Sequence, residues 1–190
     1  MKLKDASREG HRFLGWYRDE KLKDSCDQIP EGTTENITLY AKWGKDRLEP
    51  NDTWKNAVKI RIPSKTESYI SSEKDVDYFK FTVSKTDRID IRLTQPDDTN
   101  VYYDLILYDE EQNVLQKSQM NLDQSIVKTL EKGTYYIRIA SLNGQYSREA
   151  YTLRASRIAS SSLDFSEQNM LTQSLHPDSP YAYTNTGSLN

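Results

Sequence analysis

The chain has one cysteine, Cys26, two histidines, His11 and His176, and no apolar run approaching the roughly 18 residues that cross a bilayer. A single thiol excludes an intramolecular disulfide and a cysteine-built zinc site, both of which need more than one. Without a long apolar run, no membrane insertion is expected. Basic charge is also short. The 26 Lys and Arg against 29 Asp and Glu leave a net charge of −3, so the chain has no basic field able to hold nucleic acid. The opening residues, Met1-Lys2-Leu3-Lys4-Asp5, are not followed by an apolar stretch and do not read as a secretory signal. The sequence also contains no His-Glu-x-x-His, no Gly-x-Ser-x-Gly and no Gly-rich phosphate loop. His11 and His176 fall outside the stretch with strand periodicity, where no packed scaffold would hold them against a nucleophile, and no catalysis is expected.

Aromatic side chains are plentiful. They make up 11% of the residues, with 13 tyrosines, too many for a chain that stays disordered. Residues 45–157 read as consecutive short strands. Phe79-Lys80-Phe81-Thr82-Val83 and Ile89-Asp90-Ile91-Arg92-Leu93 alternate apolar and polar residues, which puts one face on a core and the other in water. Asp104 to Tyr108 is a more continuous apolar run, as in a central strand, and it ends in the turn cluster Asp109 to Asn113. Val114-Leu115, Ile126-Val127, Gly133 to Ile139 and Tyr151 to Ala155 continue the series, with Asn143-Gly144 as a further turn. About seven or eight strands at this spacing predict an all-β fold, an antiparallel β-sandwich or jelly roll. Residues 1–44 form a separate small β-rich segment, and residues 158–190, rich in Ser, Thr and Asn, read as a flexible tail.

Five blocks in order carry a resemblance: Glu49-Pro50-Asn51-Asp52-Thr53-Trp54, Asp75 to Phe81, Tyr103 to Tyr108, Gly133-Thr134-Tyr135-Tyr136-Ile137-Arg138-Ile139 and Tyr151-Thr152-Leu153. Residues 47 to 156 thus resemble the bacterial pre-peptidase C-terminal domain, a β-sandwich accessory module of secreted peptidases and surface proteins. Its relatives include collagen-binding domains of clostridial collagenases, which bind calcium and then collagen. Arg8 to Tyr17 followed by Ile37 to Trp43 looks like the second half of the Listeria-Bacteroides repeat of Gram-positive surface proteins. The strand that opens that repeat would lie before Met1, so this half-repeat is expected to lack its sheet partner. Together the two resemblances imply part of a larger multidomain exported protein, extracellular or on the cell surface.

Calcium takes six to eight hard oxygens, and Glu49, Asn51 and Asp52 place three such groups within four residues. The resemblance extends the ligand set to Asp77, with Asp75 as a further candidate. The collagenase-like relatives have another Glu where this chain has Arg47, and an acidic group near the position of Lys74, so cations replace two expected oxygens. A rival reading has Asn51 and Asp52 capping a short helix that starts near Thr53, with Asp75 and Asp77 in a turn. The relatives grip collagen through the outward face of the strand after Gly-x-Tyr-Tyr. That face maps to Tyr136, Arg138, Ala140 and Leu142, where the last two positions lack the expected tyrosines. Without rigid aromatic anchors, collagen is not the expected ligand. Tyr102, Tyr103, Tyr108, Tyr136 and Tyr146 are candidates for an exposed row that could meet another protein or a glycan, or for cross-strand packing. Trp16, Tyr17, Tyr40 and Trp43 read as core of the half-repeat, with a carbohydrate platform as the alternative. Two functions therefore compete: a non-catalytic binding module stabilised by calcium, and a structural spacer or secretion aid with no ligand of its own.

Overall fold

The computed structural model describes residues 1–8, 10–98, 100–118 and 123–159. The expected tail lies outside the described residues apart from its first two positions. Among the described residues, eleven strands make up three sheets, and one short 3-10 turn, Trp54–Asn56, lies between the second and third strands. Among the described residues no helix is long and apolar enough to cross a membrane, a statement that does not bear on β-barrels.

The N-terminal segment forms a two-stranded antiparallel sheet from β1, His11–Tyr17, and β2, Tyr40–Lys45. β1 therefore has a sheet partner within the half-repeat, contrary to the sequence expectation. The register slips between Phe13 and Gly15, and Gly15 carries the bulge at φ 137°, which a side chain would strain. Phe13 is buried, and the rings of Trp16 and Trp43 meet it edge-on at 5.2 and 5.6 Å. Both tryptophans are half-buried against it, while Tyr40, read from the sequence as core, is 37% exposed. This unit also touches the rest of the fold: Arg148 pairs with Asp5 and lies 4.9 Å from the Phe13 ring, while Arg12 stacks 4.2 Å from the ring of Tyr69.

The remaining strands are β3, Val58–Lys59; β4, Ser64–Ser68; β5, Val76–Val83; β6, Asp87–Thr94; β7, Tyr103–Tyr108; β8, Val114–Ser118; β9, Gln124–Leu130; β10, Gly133–Ser141; and β11, Tyr151–Arg157. They build a sandwich with one sheet in the order β3-β5-β10-β7-β8 and the other in the order β4-β11-β6-β9. All pairings are antiparallel except β3 with β5. The alternation read in the sequence sets the core. Phe79, Phe81 and Val83 of β5 and Ile137 and Ile139 of β10 face Ile89, Ile91 and Leu93 of β6 and Leu153 of β11 across the sandwich. The sequence series missed β3 and β4. β3 is only two residues long, and β4 reads Ser-Lys-Thr-Glu-Ser, a polar strand at the edge of its sheet with no apolar alternation to show it.

Ile137 is fully buried at the centre of the five-stranded sheet, bonded between β5 and β7. Ile137→Ala should cost about 2 to 5 kcal/mol in a urea unfolding titration, as a large-to-small core change. A loss below about 0.5 kcal/mol would show that this position is not core.

Candidate metal centre and outward sheet face

β5 alternates all the way to its first turn, so Asp77 falls on the same inward face as Phe79 and Phe81. A carboxylate there is out of reach of water, and Asp77 is 0% exposed. Two donors hold it. The Asn51 amide Nδ2 gives a 2.8 Å bond to Oδ1, and the Tyr151 hydroxyl donates to Oδ2. Asn51 is fixed in turn: its backbone N–H donates to Glu49 Oε2 at 3.0 Å, and its carbonyl accepts from the Tyr78 N–H at 2.9 Å. The segment before the 3-10 turn is thereby laced onto the start of β5.

Asp75 sits where the turn over residues 72–74 gives way to β5, and its Oδ2 accepts from the Ser71 N–H at 2.6 Å and the Ser71 hydroxyl at 2.7 Å. Carboxylate oxygens of Glu49, Asp75 and Asp77 all lie within 4.8 Å of one another. Asp52 is exposed beside this group, and its Oδ1 accepts from the Val76 N–H at 3.1 Å. Of the five residues predicted from sequence, three thus converge, Asn51 bridges into them, and Asp52 ties down the adjoining backbone. The rival reading fails on geometry. Thr53, not Asn51 or Asp52, precedes the 3-10 turn, no side chain caps it, and Asp77 lies within a strand.

The electrostatics are unfavourable for three charges. Burial, then the charge of Asp75, raises Glu49 to about 7, against the pull of the Asn51 N–H. Burial raises Asp75 as well, opposed by the bonds from Ser71. Asp77 is pushed well up, first by burial and then by Asp75, despite the donors Tyr151 and Asn51. Asn51 Oδ1 and Asp75 Oδ1 are buried and accept no hydrogen bond. Buried oxygens left without donors, next to carboxylates that repel one another, fit a hard divalent cation, and the donor set is all oxygen, as calcium prefers. Arg47 and Lys74 are both exposed, and among the described residues neither forms an ion pair with the cluster.

On the opposite side of the same sheet, the alternation of β10 turns Tyr136, Arg138 and Ala140 outward. Tyr136 lies between Lys80 and Tyr108, Arg138 between Tyr78 and Ile106, and Ala140 between Val76 and Asp104. The ring of Trp54, 38% exposed, meets Tyr136 edge-on at 6.4 Å. Arg138 reaches both Asp104 oxygens at 3.1 Å. Ala140 is only 4% exposed and offers a ligand almost no surface, while Leu142 lies past the end of β10 and is 43% exposed. Sequence reasoning missed Trp54 and Tyr78 on this face, although Tyr78 was readable as the outward neighbour of the inward Phe79. Tyr103, by contrast, is core and packs edge-on against Tyr151 at 5.9 Å.

Comparison with known proteins agrees with the two resemblances. Residues 75–141 match the family model described as the bacterial pre-peptidase C-terminal domain, and residues 1–42 match the Listeria-Bacteroides repeat domain. Pre-peptidase C-terminal domains are accessory modules of bacterial proteins, not catalytic ones. A protein of Evansella cellulosilytica with the provisional name of a membrane protein is 61% identical over 36 residues, which is 19% of this chain and 5% of that protein. The chain thus spans only a small fraction of that relative. Among solved structures, the pre-peptidase C-terminal domain of a collagenase from Bacillus anthracis aligns with 53% of this chain and 94% of its own, at 18% identity and a TM-score of 0.47. The Yersinia pseudotuberculosis-derived mitogen aligns with 50% of this chain and 86% of its own, at 12% identity and a TM-score of 0.40.

The raised carboxylates set the sign of a pH effect in chelator. A carboxylate whose folded pKa lies above its unfolded value adds stability that is complete below the unfolded value and is lost as pH rises through the folded one. For Glu49 that window runs from its ordinary 4.5 up to about 7. The chelated protein should therefore melt at progressively lower temperature as pH rises from 5 to 8, and Glu49→Gln should flatten the fall. An unchanged slope in Glu49→Gln would remove Glu49 from the strained cluster.

Proposed function

We propose that this chain is a non-catalytic accessory module of a secreted or cell-surface bacterial protein, stabilised by calcium, that holds its parent against an extracellular protein or glycan through the outward face of its five-stranded sheet. One observation carries the binding reading: Trp54, Tyr136, Tyr108 and Tyr78 gather on one outward face around the Arg138–Asp104 pair. Aromatic rings with a fixed guanidinium among them give large contact area at low entropic cost and are typical of binding hot spots. The ion pair also holds Arg138 in place, so the face is ordered before any ligand arrives.

Calcium would act on the other side of the same sheet. Glu49, Asp75 and Asp77 with the Asn51 amide oxygen would hold the ion, and the ion would supply charge neutralisation, letting buried carboxylates ionise without repelling one another. Extracellular calcium modules bind at roughly 10⁻⁴ to 10⁻³ M, so at millimolar calcium a site tenfold tighter than that concentration adds about 1.4 kcal/mol.

Two measurements test this. In thermal melts, millimolar calcium should raise the midpoint by a few degrees over chelator while magnesium does not, and Asp77→Asn should abolish the rise. In calcium, cosedimentation with insoluble peptidoglycan, chitin and cellulose, and binding to immobilised matrix proteins with fibrillar collagen included, should find a ligand that Tyr136→Ala or Trp54→Ala weakens about tenfold or more, equivalent to about 1.4 kcal/mol. If no probe binds, or if both variants bind like the parent, the aromatic face is not a binding site and the spacer reading takes its place.

A further inference from the structure

The four-stranded sheet turns a different surface to solvent from the aromatic face. Alternation along β6 and β11 sends Ile89, Ile91, Leu93, Leu153 and Ala155 into the core and leaves Arg88, Asp90, Arg92 and Arg154 on the outer side. Register then sets three cations in one row. Arg154 lies directly opposite Arg92 of β6 on one side and Lys65 of β4 on the other. Like charges facing one another on adjacent strands oppose folding.

The outer two cations are answered on their own strands. Arg92 Nε donates to Asp90 Oδ2 at 2.8 Å, and Lys65 Nζ donates to Glu67 Oε1 at 2.7 Å. The middle one is not. The outward neighbours of Arg154 on β11 are Thr152 and Ser156, and among the described residues its exposed guanidinium makes no hydrogen bond or ion pair. Arg92 uses only Nε on Asp90, so among the described residues its two Nη groups are open as well.

Polar grooves flank the row on both sides. Ser64, Asp90 and Ser156 line one together with the three cations, and Thr94, Asp123 and Ser125 line the other with Arg92 and Arg154. In the first groove Asp90 is only 7% exposed, and Asp90 Oδ1 and Ser64 Oγ are buried without a hydrogen-bond partner. Hydrogen-bonding capacity is thus unused beside a cation that is unmatched.

We propose that this sheet binds a hydroxyl-rich polyanion, with an acid group on Arg154 and the Nη groups of Arg92 and with hydroxyls along the grooves, meeting Ser64, Asp90 and Ser156 directly or through water. The acid group is a carboxylate or a phosphodiester, chemistry that polyuronates and polyol phosphates share. Charge complementarity selects this occupant. A guanidinium presents paired N–H donors that match the two oxygens of either acid. Among the described residues, the outward positions of β4, β11, β6 and β9 hold no aromatic ring on which a neutral sugar could stack. The proposal is independent of the calcium and aromatic-face readings, because it concerns the other sheet.

The test is affinity electrophoresis of the full chain against polygalacturonate and poly(glycerol phosphate), in chelator so that no calcium bridges polymer to protein. Dextran serves as the uncharged polyol and duplex DNA as a polyanion without free hydroxyls along its length. At least one acidic polymer should bind, more weakly as salt rises from about 50 to about 200 mM. Binding to one alone names the acid group. Arg154→Gln should weaken it about tenfold, as the loss of a charged hydrogen-bond donor predicts. Arg88→Gln, outward on β6 but lining neither groove, and Tyr136→Ala on the other sheet should leave it within about twofold. Arg154→Gln should also melt at or above the parent's midpoint, since the middle of three like charges is gone, which separates lost binding from lost folding. The proposal is overturned if neither acidic polymer binds, if dextran or DNA binds as well as they do, or if Arg88→Gln weakens binding as much as Arg154→Gln. Loss of binding in Tyr136→Ala with none in Arg154→Gln would overturn it too and would move the polymer to the aromatic face.

Discussion

The arrangement at one end of the sandwich follows from a single constraint, an acid placed where the sheet pattern calls for a hydrophobe. Asp77 takes an inward position of β5 two residues ahead of Phe79, and no water reaches it. Burying an unpaired carboxylate costs several kcal/mol, so its neighbours are chosen to meet it. Tyr151 from β11 in the opposite sheet and Asn51 from the segment before the 3-10 turn both donate to it. To hold Asn51 in position, Glu49 accepts its N–H and Tyr78 donates to its carbonyl. The chain between the two units is therefore shaped by one carboxylate more than by its own propensities.

That solution brings its own strain. Glu49, which fixes Asn51, and Asp75 at the start of β5 are themselves carboxylates, and Glu49, Asp75 and Asp77 end within 4.8 Å of one another with two of the three buried. Hydrogen bonds from Ser71, Asn51 and Tyr151 offset part of the cost but leave Asn51 Oδ1 and Asp75 Oδ1 without donors. Elsewhere the protein pairs its partly buried acids with arginine, as in Asp104 with Arg138 and Asp5 with Arg148. Among the described residues no arginine or lysine pairs with Glu49, Asp75 or Asp77. A cluster of carboxylates with no ion-pair partner among the described residues is suited to taking positive charge from solution.

The parts of this that could be read in the sequence are those with a period or a motif. Alternation in Phe79 to Val83 and Ile89 to Leu93 placed β5 and β6 and their core faces, and the Glu-x-Asn-Asp string and the Asp pair before Phe79 named the acidic cluster. The polar edge strand β4 has no alternation and could not be seen. Ala140 was mapped from the resemblance by position, and position cannot tell that neighbouring strands cover a side chain as small as a methyl.

β5 ties the two proposed sites together, since its side chains alternate between them. Asp77 points into the cluster, the next residue, Tyr78, points out to the aromatic face, and Asn51 bonds both, the first through its side chain and the second through its carbonyl. Tyr78 is also the cross-strand neighbour of Arg138, which Asp104 holds. Whatever fixes Asn51 and Asp77 thus fixes the backbone that carries Tyr78 and, through the β5–β10 ladder, the row containing Arg138 and Tyr136. A cation at the cluster would touch no part of a ligand on the outer face, yet it would lower the ordering cost of that face, because the same eight-residue strand supplies one side of each.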